Sequence, residues 1–176
     1  ASDVYKRQDA NEASERTTTT TTTTTTKVVV LGGTGRVGSA TAAALVRGAN
    51  GGVEVTLGGR SRERDAEAKA RHRGLANASF VEVDVCDKAS VTRAIQGADL
   101  VINTAGPFQR RKSCAALEAA LESGVKYLDV CDDASYGAEA KKLSEKAKAA
   151  GVAAITCAGI YPCLLYTSDA ADERLR

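Results

Sequence analysis

The chain has 176 residues and a mass of 18.2 kDa, enough for one well-filled domain but short for a nucleotide-binding domain plus a complete substrate domain. With 43% hydrophobic and 26% charged residues, the composition fits a packed core and excludes disorder throughout. A net charge of +2, from 24 Lys and Arg against 22 Asp and Glu, supplies no strong field for gathering nucleic acid or an anionic membrane, so neither is expected as a partner.

The first zone, residues 1–26, is polar and ends in an unbroken threonine run, Thr17 to Thr26, which has neither strand alternation nor an apolar helical face. It reads as a disordered leader. From Lys27 to Pro162, short β-branched runs alternate with Ala-rich stretches of helical period. Strands are predicted over Val28–Leu31, Val53–Leu57, Phe80–Val85, Leu100–Asn103, Tyr127–Val130 and Val152–Thr156. Helices are predicted over Arg36–Arg47, Arg62–Arg73, Lys88–Ile95, Ser113–Glu122 and Ala138–Ala150, with Gly124 and Gly151 as helix stops. Strict alternation of strand and helix calls for an α/β fold, because parallel neighbours need crossovers and right-handed crossovers put helices outside. The expectation for residues 27–162 is a doubly wound, Rossmann-type parallel sheet of about six strands with helices on both faces.

The first strand runs straight into Gly32, Gly33, Thr34, Gly35, Arg36, Val37 and Gly38, then into a small-residue helix. A lone GxGxxG is weak, but here a strand precedes it, a helix follows and a second strand ends about twenty residues on, the context a dinucleotide site requires. Gly33 is expected to permit the tight turn, Gly35 to let backbone approach pyrophosphate, and Gly38 to let the helix pack closely. The N–H groups at the helix start would face the pyrophosphate. The second strand ends in Gly58, Gly59, Arg60, Ser61 and Arg62, where an NAD-specific site would place an acid for the ribose 2′-OH. Arg60, with Ser61 as a hydroxyl donor and Arg64 nearby, suits a 2′-phosphate, so NADP is favoured and NAD remains an option.

Asp84 and Val85, at the carboxyl end of the third strand, are expected on the adenine side, while Asp87 and Ser90 read as caps of the next helix. Asn103, Ala105, Gly106 and Pro107, at the end of the fourth strand, leave room for ribose and nicotinamide. The fifth strand closes with Asp129, Cys131, Asp132 and Asp133, which could hold a metal or move a proton, but no histidine is near and capping accounts for at least one of them. The single histidine, His72, reads as a solvated helix residue. Cys86, Cys114, Cys131, Cys157 and Cys163 are odd in number and lack a CxxC pair, so buried thiols of a reducing compartment are expected rather than a disulfide framework or zinc. No run approaches the roughly 18–20 apolar residues that cross a bilayer, and a cytoplasmic location is the expectation. Tyr127, Tyr136 and Tyr161 lack a lysine four residues later, and no complete catalytic set is visible.

GGTGRVG at Gly32–Gly38, NTAGPF at Asn103–Phe108, YLDVCDD at Tyr127–Asp133 and AGIYP at Ala158–Pro162 together resemble the NAD(P)-binding domain of saccharopine dehydrogenase-like oxidoreductases. The resemblance spans Lys27 to Pro162 and implies cofactor roles for Gly33, Gly35, Gly38, Asn103, Gly106 and Pro107. It also implies a substrate domain after the sixth strand, for which this chain has no counterpart, so a small-molecule substrate is expected only in a longer protein. Cys163–Glu173, CLLYTSDAADE, resembles translated sequencing-adapter DNA, and residues 163–176 are expected to be an artefactual tail. That tail and the absence of any Met lead us to expect a fragment. The alternative class is a non-catalytic NADP-binding sensor.

Overall fold

The computed structural model describes residues 25–106, 108 and 113–159. Most of the expected leader, Pro107, the AGIYP segment after Gly159 and the tail at 163–176 lie outside the described residues.

In chain order the elements are β1 (Thr26–Leu31), α1 (Arg36–Gly48), β2 (Val53–Gly59), α2 (Arg62–Arg71), a 3₁₀ turn (Arg73–Leu75), β3 (Ser79–Glu82), α3 (Lys88–Ala94), β4 (Leu100–Asn103), α4 (Ala115–Glu122), β5 (Lys126–Asp129), α5 (Ala134–Lys141), α6 (Ser144–Ala150) and β6 (Ala154–Ile155). The six strands form one parallel sheet in the order β3-β2-β1-β4-β5-β6, with helices on both faces, as the alternation requires. Alternate residues of β1 show why its run is continuously apolar. Val28 and Val30 pack with Val55, Leu57 and Ala42 on one face, whereas Val29 and Leu31 pack with Val91, Val101 and Leu117 on the other. All four are buried, so no polar position interrupts the strand.

The order reverses between β1 and β4, where connections leave on opposite faces and a crevice opens beyond the strand ends. In register, Leu31 faces Gly58 on one side and Asn103 on the other, so the glycine loop, the β2 end and the β4 end reach the same edge.

Some boundaries differ from the sequence reading, each for a local reason. β3 stops at Glu82 rather than Val85 because its partner β2 ends at Gly59, opposite Glu82. The single helix expected over Ala138–Ala150 is two helices. Asp133 caps the chain earlier, accepting from the Tyr136 N–H at 2.8 Å. The break comes where Lys142 and Leu143 donate three residues back, to Glu139 and Ala140, and the Ser144 hydroxyl takes the Lys141 carbonyl at 2.7 Å. α2 ends at Arg71 and yields to the 3₁₀ turn, which drives Leu75 into the core. Gly124 (φ +69°) and Gly151 (φ +65°) end their helices as expected, in the left-handed region.

Candidate functional site

A cavity of about 630 Å³ opens at the carboxyl edge of the sheet, lined from β1 by Gly32, Thr34 and Gly35, from β2 by Gly59, Arg60, Ser61 and Arg64, from β3 by Val83–Cys86 and from β4 by Thr104–Gly106. Four segments far apart in sequence thus share one wall.

The glycine loop is held by backbone. The left-handed residue is Gly32 (φ +75°), not Gly33, which corrects the expected site of the tight turn. Gly33 is needed for space, since a Cβ there would lie 2.7 Å from the Val30 carbonyl oxygen. Gly38 behaves as expected. Its missing side chain lets α1 approach until a Cβ would stand 2.2 Å from the Gly32 oxygen and 2.6 Å from Thr104 Oγ1. Gly35 sits at the N-cap of α1, exposed on the cavity wall, and offers no side chain to cap the helix. The first intrahelical bond runs from the Ser39 N–H to the Gly35 carbonyl, so the amides of Arg36, Val37 and Gly38 precede the ladder at the positive end of the helix dipole. Arg36 and Val37 are exposed and their side chains do not line the cavity.

Thr34 is buried, and its hydroxyl packs where a Cβ on Gly59 would be, 2.6 Å away. Its carbonyl accepts from Arg71 Nη2 at 3.0 Å, a bond from the far end of α2. Sequence reasoning missed Arg71, because nothing in the helix pattern distinguishes one surface arginine from another.

At the opposite end, Arg60 and Arg64 line the cavity. Ser61 is also on the wall, but its oxygen caps α2, accepting from the Arg64 N–H at 3.4 Å, and its hydroxyl proton goes to Glu63. That bond holds the Glu63 carboxyl below its usual range. Arg62 is drawn away, 5.6 Å over the Phe80 ring. Asp84 and Val85 line the cavity, with Asp84 Oδ1 accepting from the Cys86 N–H at 2.9 Å. Asp87 caps α3 through the Ala89 N–H, whereas the Ser90 hydroxyl instead accepts from the Asp84 N–H.

Ala105 and Gly106 face the cavity, but Asn103 lies beneath it, fully buried. Its amide donates to the Tyr127 hydroxyl at 3.0 Å and its carbonyl accepts from the Ala105 N–H at 3.1 Å. Asn103 therefore shapes the β4 turn from behind, as Thr104 does by donating its hydroxyl to the Leu31 carbonyl at 2.8 Å. Of the β5 cluster, Asp129 and Cys131 turn inward, whereas Asp132 is exposed and Asp133 half-buried. Asp129 is fully buried and accepts the N–H groups of Cys131 and Cys157, tying the ends of β5 and β6 together. Burial raises the titration of Tyr127 and Tyr136 and pushes the Cys131 thiol up to about 12.

The family model for the saccharopine dehydrogenase NADP binding domain matches residues 28–155. The chain belongs to this family. A lipid droplet localized protein of Caenorhabditis elegans is 27% identical over 114 residues, which are 61% of this chain and 26% of that protein. Among solved structures, apo histidine-tagged saccharopine dehydrogenase (L-Glu forming) from Saccharomyces cerevisiae superposes with a TM-score of 0.61 at 18% identity, covering 84% of this chain and 31% of that one. A Rossmann-fold NAD(P)-binding family protein from Shigella flexneri gives 0.56 at 19% identity over 75% of this chain and 66% of that one. The structural likenesses establish the fold, and the chain spans about a quarter to a third of the length of the first two relatives. The molecule is an NAD(P)-binding Rossmann domain related to oxidoreductases. Among the described residues no helix is long and apolar enough to cross a membrane.

Proposed function

We propose that this domain binds NADP(H) in the cavity at the sheet edge and serves hydride transfer to or from a small molecule held by a part of the protein outside this chain. One observation carries the reading: a glycine loop with free helix-start amides and a pair of arginines lie on the same cavity wall, one set for each phosphate group of the cofactor. Pyrophosphate would lie against Gly32, Gly35 and the start of α1, where peptide N–H groups and the helix dipole favour an anion. A 2′-phosphate would meet Arg60 and Arg64. Ser61 contributes by setting the α2 start, since its hydroxyl proton is committed to Glu63. No carboxylate stands at the end of β2, where one would be needed to select a free 2′-OH. Adenine would lie toward Asp84 and Val85, and the small Ala105 and Gly106 leave space for the nicotinamide end. Bound there, the cofactor supplies the hydride donor or acceptor.

Calorimetric titration with NADPH and NADH tests this, with Arg60→Ala alongside. The wild-type domain is expected to prefer NADPH. Loss of a charge-assisted bond worth about 1.5–3 kcal/mol should weaken NADPH about 10- to 150-fold in the variant and leave NADH nearly unchanged. Failure of both cofactors to bind at millimolar concentration overturns the reading, and equal losses for the two remove Arg60 from the 2′-phosphate role.

A further inference from the structure

We propose that Arg71 is a positioning residue for the pyrophosphate loop, holding the Thr34–Gly35 peptide with its carbonyl turned away from the anion. The inference rests on the dinucleotide reading above and extends it to a residue outside the cavity wall.

A loop built from Gly32, Gly33 and Gly35 has low intrinsic stiffness, so its orientation must be imposed from outside. Most of its polar backbone is fixed locally: the Gly33 N–H reaches the Val30 and Gly58 carbonyls, and the Gly35 N–H reaches the Gly32 carbonyl at 2.9 Å. The Thr34 carbonyl is different. It points toward α2, where Arg71 Nη2 donates to it at 3.0 Å across 37 residues of sequence. The same guanidinium is steadied by its Nε, which donates to the Glu67 carbonyl at 3.4 Å.

Two consequences follow for an anion on this wall. Rotation of the Thr34–Gly35 peptide would break the Gly35 to Gly32 bond and turn a carbonyl oxygen toward the phosphate, replacing attraction with repulsion. The charge-assisted bond from Arg71 opposes that rotation. Thr34 cannot follow by moving as a whole, because its side chain is packed against Gly59. The loop is thereby clamped between β2 and the last residue of α2, the helix that follows Arg60 and carries Arg64 in its first turn. When only a fraction of molecules hold the competent loop, apparent affinity falls by that fraction.

The test compares wild type, Arg71→Met, which keeps bulk but no donor, and Arg71→Lys, which restores one cationic donor. Each is titrated with ADP, which carries a pyrophosphate, with adenosine 2′-monophosphate, which does not, and with NADPH. Arg71→Met is expected to lose about 10-fold for ADP and NADPH, equivalent to about 1.4 kcal/mol, to bind adenosine 2′-monophosphate as wild type does, and to unfold at the wild-type urea concentration. Arg71→Lys should recover most of the lost affinity. Unchanged ADP binding in Arg71→Met overturns the proposal alone, as does an equal loss for both mononucleotides, which would mark general damage to the site. A wild-type domain that binds neither ADP nor NADPH overturns the dinucleotide reading itself, and this inference with it.

Discussion

Replacing Gly38 by Ala should destabilise the domain even though it improves the intrinsic helix propensity of α1. Within a helix the exchange is ordinarily worth about 0.5–1 kcal/mol in favour of Ala. Here the new methyl would sit 2.2 Å from the Gly32 carbonyl oxygen, 2.7 Å from the Gly32 carbonyl carbon and 2.6 Å from Thr104 Oγ1. A carbon and an oxygen need roughly 1 Å more than that, and two of the three opposing atoms are backbone. Thr104 cannot yield freely either, because its hydroxyl bonds the Leu31 carbonyl. The start of α1 must therefore move off the sheet edge, at an overpacking cost of about 1–3 kcal/mol or somewhat more. We expect a net loss of about 2 kcal/mol, a fall in Tm of roughly 4–8 °C for a domain of this size, and weaker NADPH binding as the helix-start amides shift. Gly48→Ala at the other end of the same helix is the control. Nothing lies within 4 Å of its Cβ position, so a gain of about 0.4–1 kcal/mol is expected. Urea unfolding followed by circular dichroism measures both, compared at a common m-value. A Gly38→Ala protein as stable as wild type, or a shift of the same sign at both positions, would refute the steric argument.

Acid should loosen the helices packed outside β4 and β5. Glu122 on α4 accepts from Lys146 of α6 and Lys88 of α3 at 2.7 and 2.6 Å, and these bonds lower its carboxyl from an ordinary 4.5 to about 2. A depressed folded-state value means that the contribution is present above about 4.5 and is lost as the pH falls toward 2. Glu122→Gln should flatten the dependence of the urea midpoint on pH in that window, by a small amount that salt reduces further because the groups are exposed; identical slopes in the two proteins would contradict the assignment. Thiol labelling at pH 8 with peptide mapping should modify Cys86, exposed on the cavity wall, while Cys131 and Cys114, both buried and with raised titration, wait for denaturant. Bound NADPH should slow the Cys86 reaction, and native-state labelling of Cys131 at the rate of Cys86 would rule out its burial.

Much of this architecture is legible in local pattern. Continuous Val and Leu at 28–31 signal a strand covered on both faces, and Gly124 and Gly151 mark helix ends, because those features reflect burial and dihedral preference acting on neighbours in sequence. The glycine loop and the arginines after β2 are legible for the same reason, being short motifs at fixed distances from strand ends. Other features depend on partners elsewhere in the chain. β3 has the residues of a longer strand, yet it ends where β2 stops offering hydrogen bonds.

By itself the sequence determined the alternation, the sheet class, the position of the glycine loop and the absence of an acid at the end of β2. Tertiary structure decided which residues of each motif face the cavity. Asn103 looks like a wall residue by position but is turned under the wall by Tyr127, 24 residues on, and Ser61 looks like a free donor, yet its hydroxyl already donates to Glu63. Gly32 carries the left-handed turn, and a side chain there would also meet the Ala105 backbone just past β4, at 2.8 Å. Arg71 meets the Thr34 carbonyl only when α2 folds back beside it. Periodicity reports whether a residue is inside or outside, whereas the direction of a hydrogen bond depends on what the fold brings within about 3 Å.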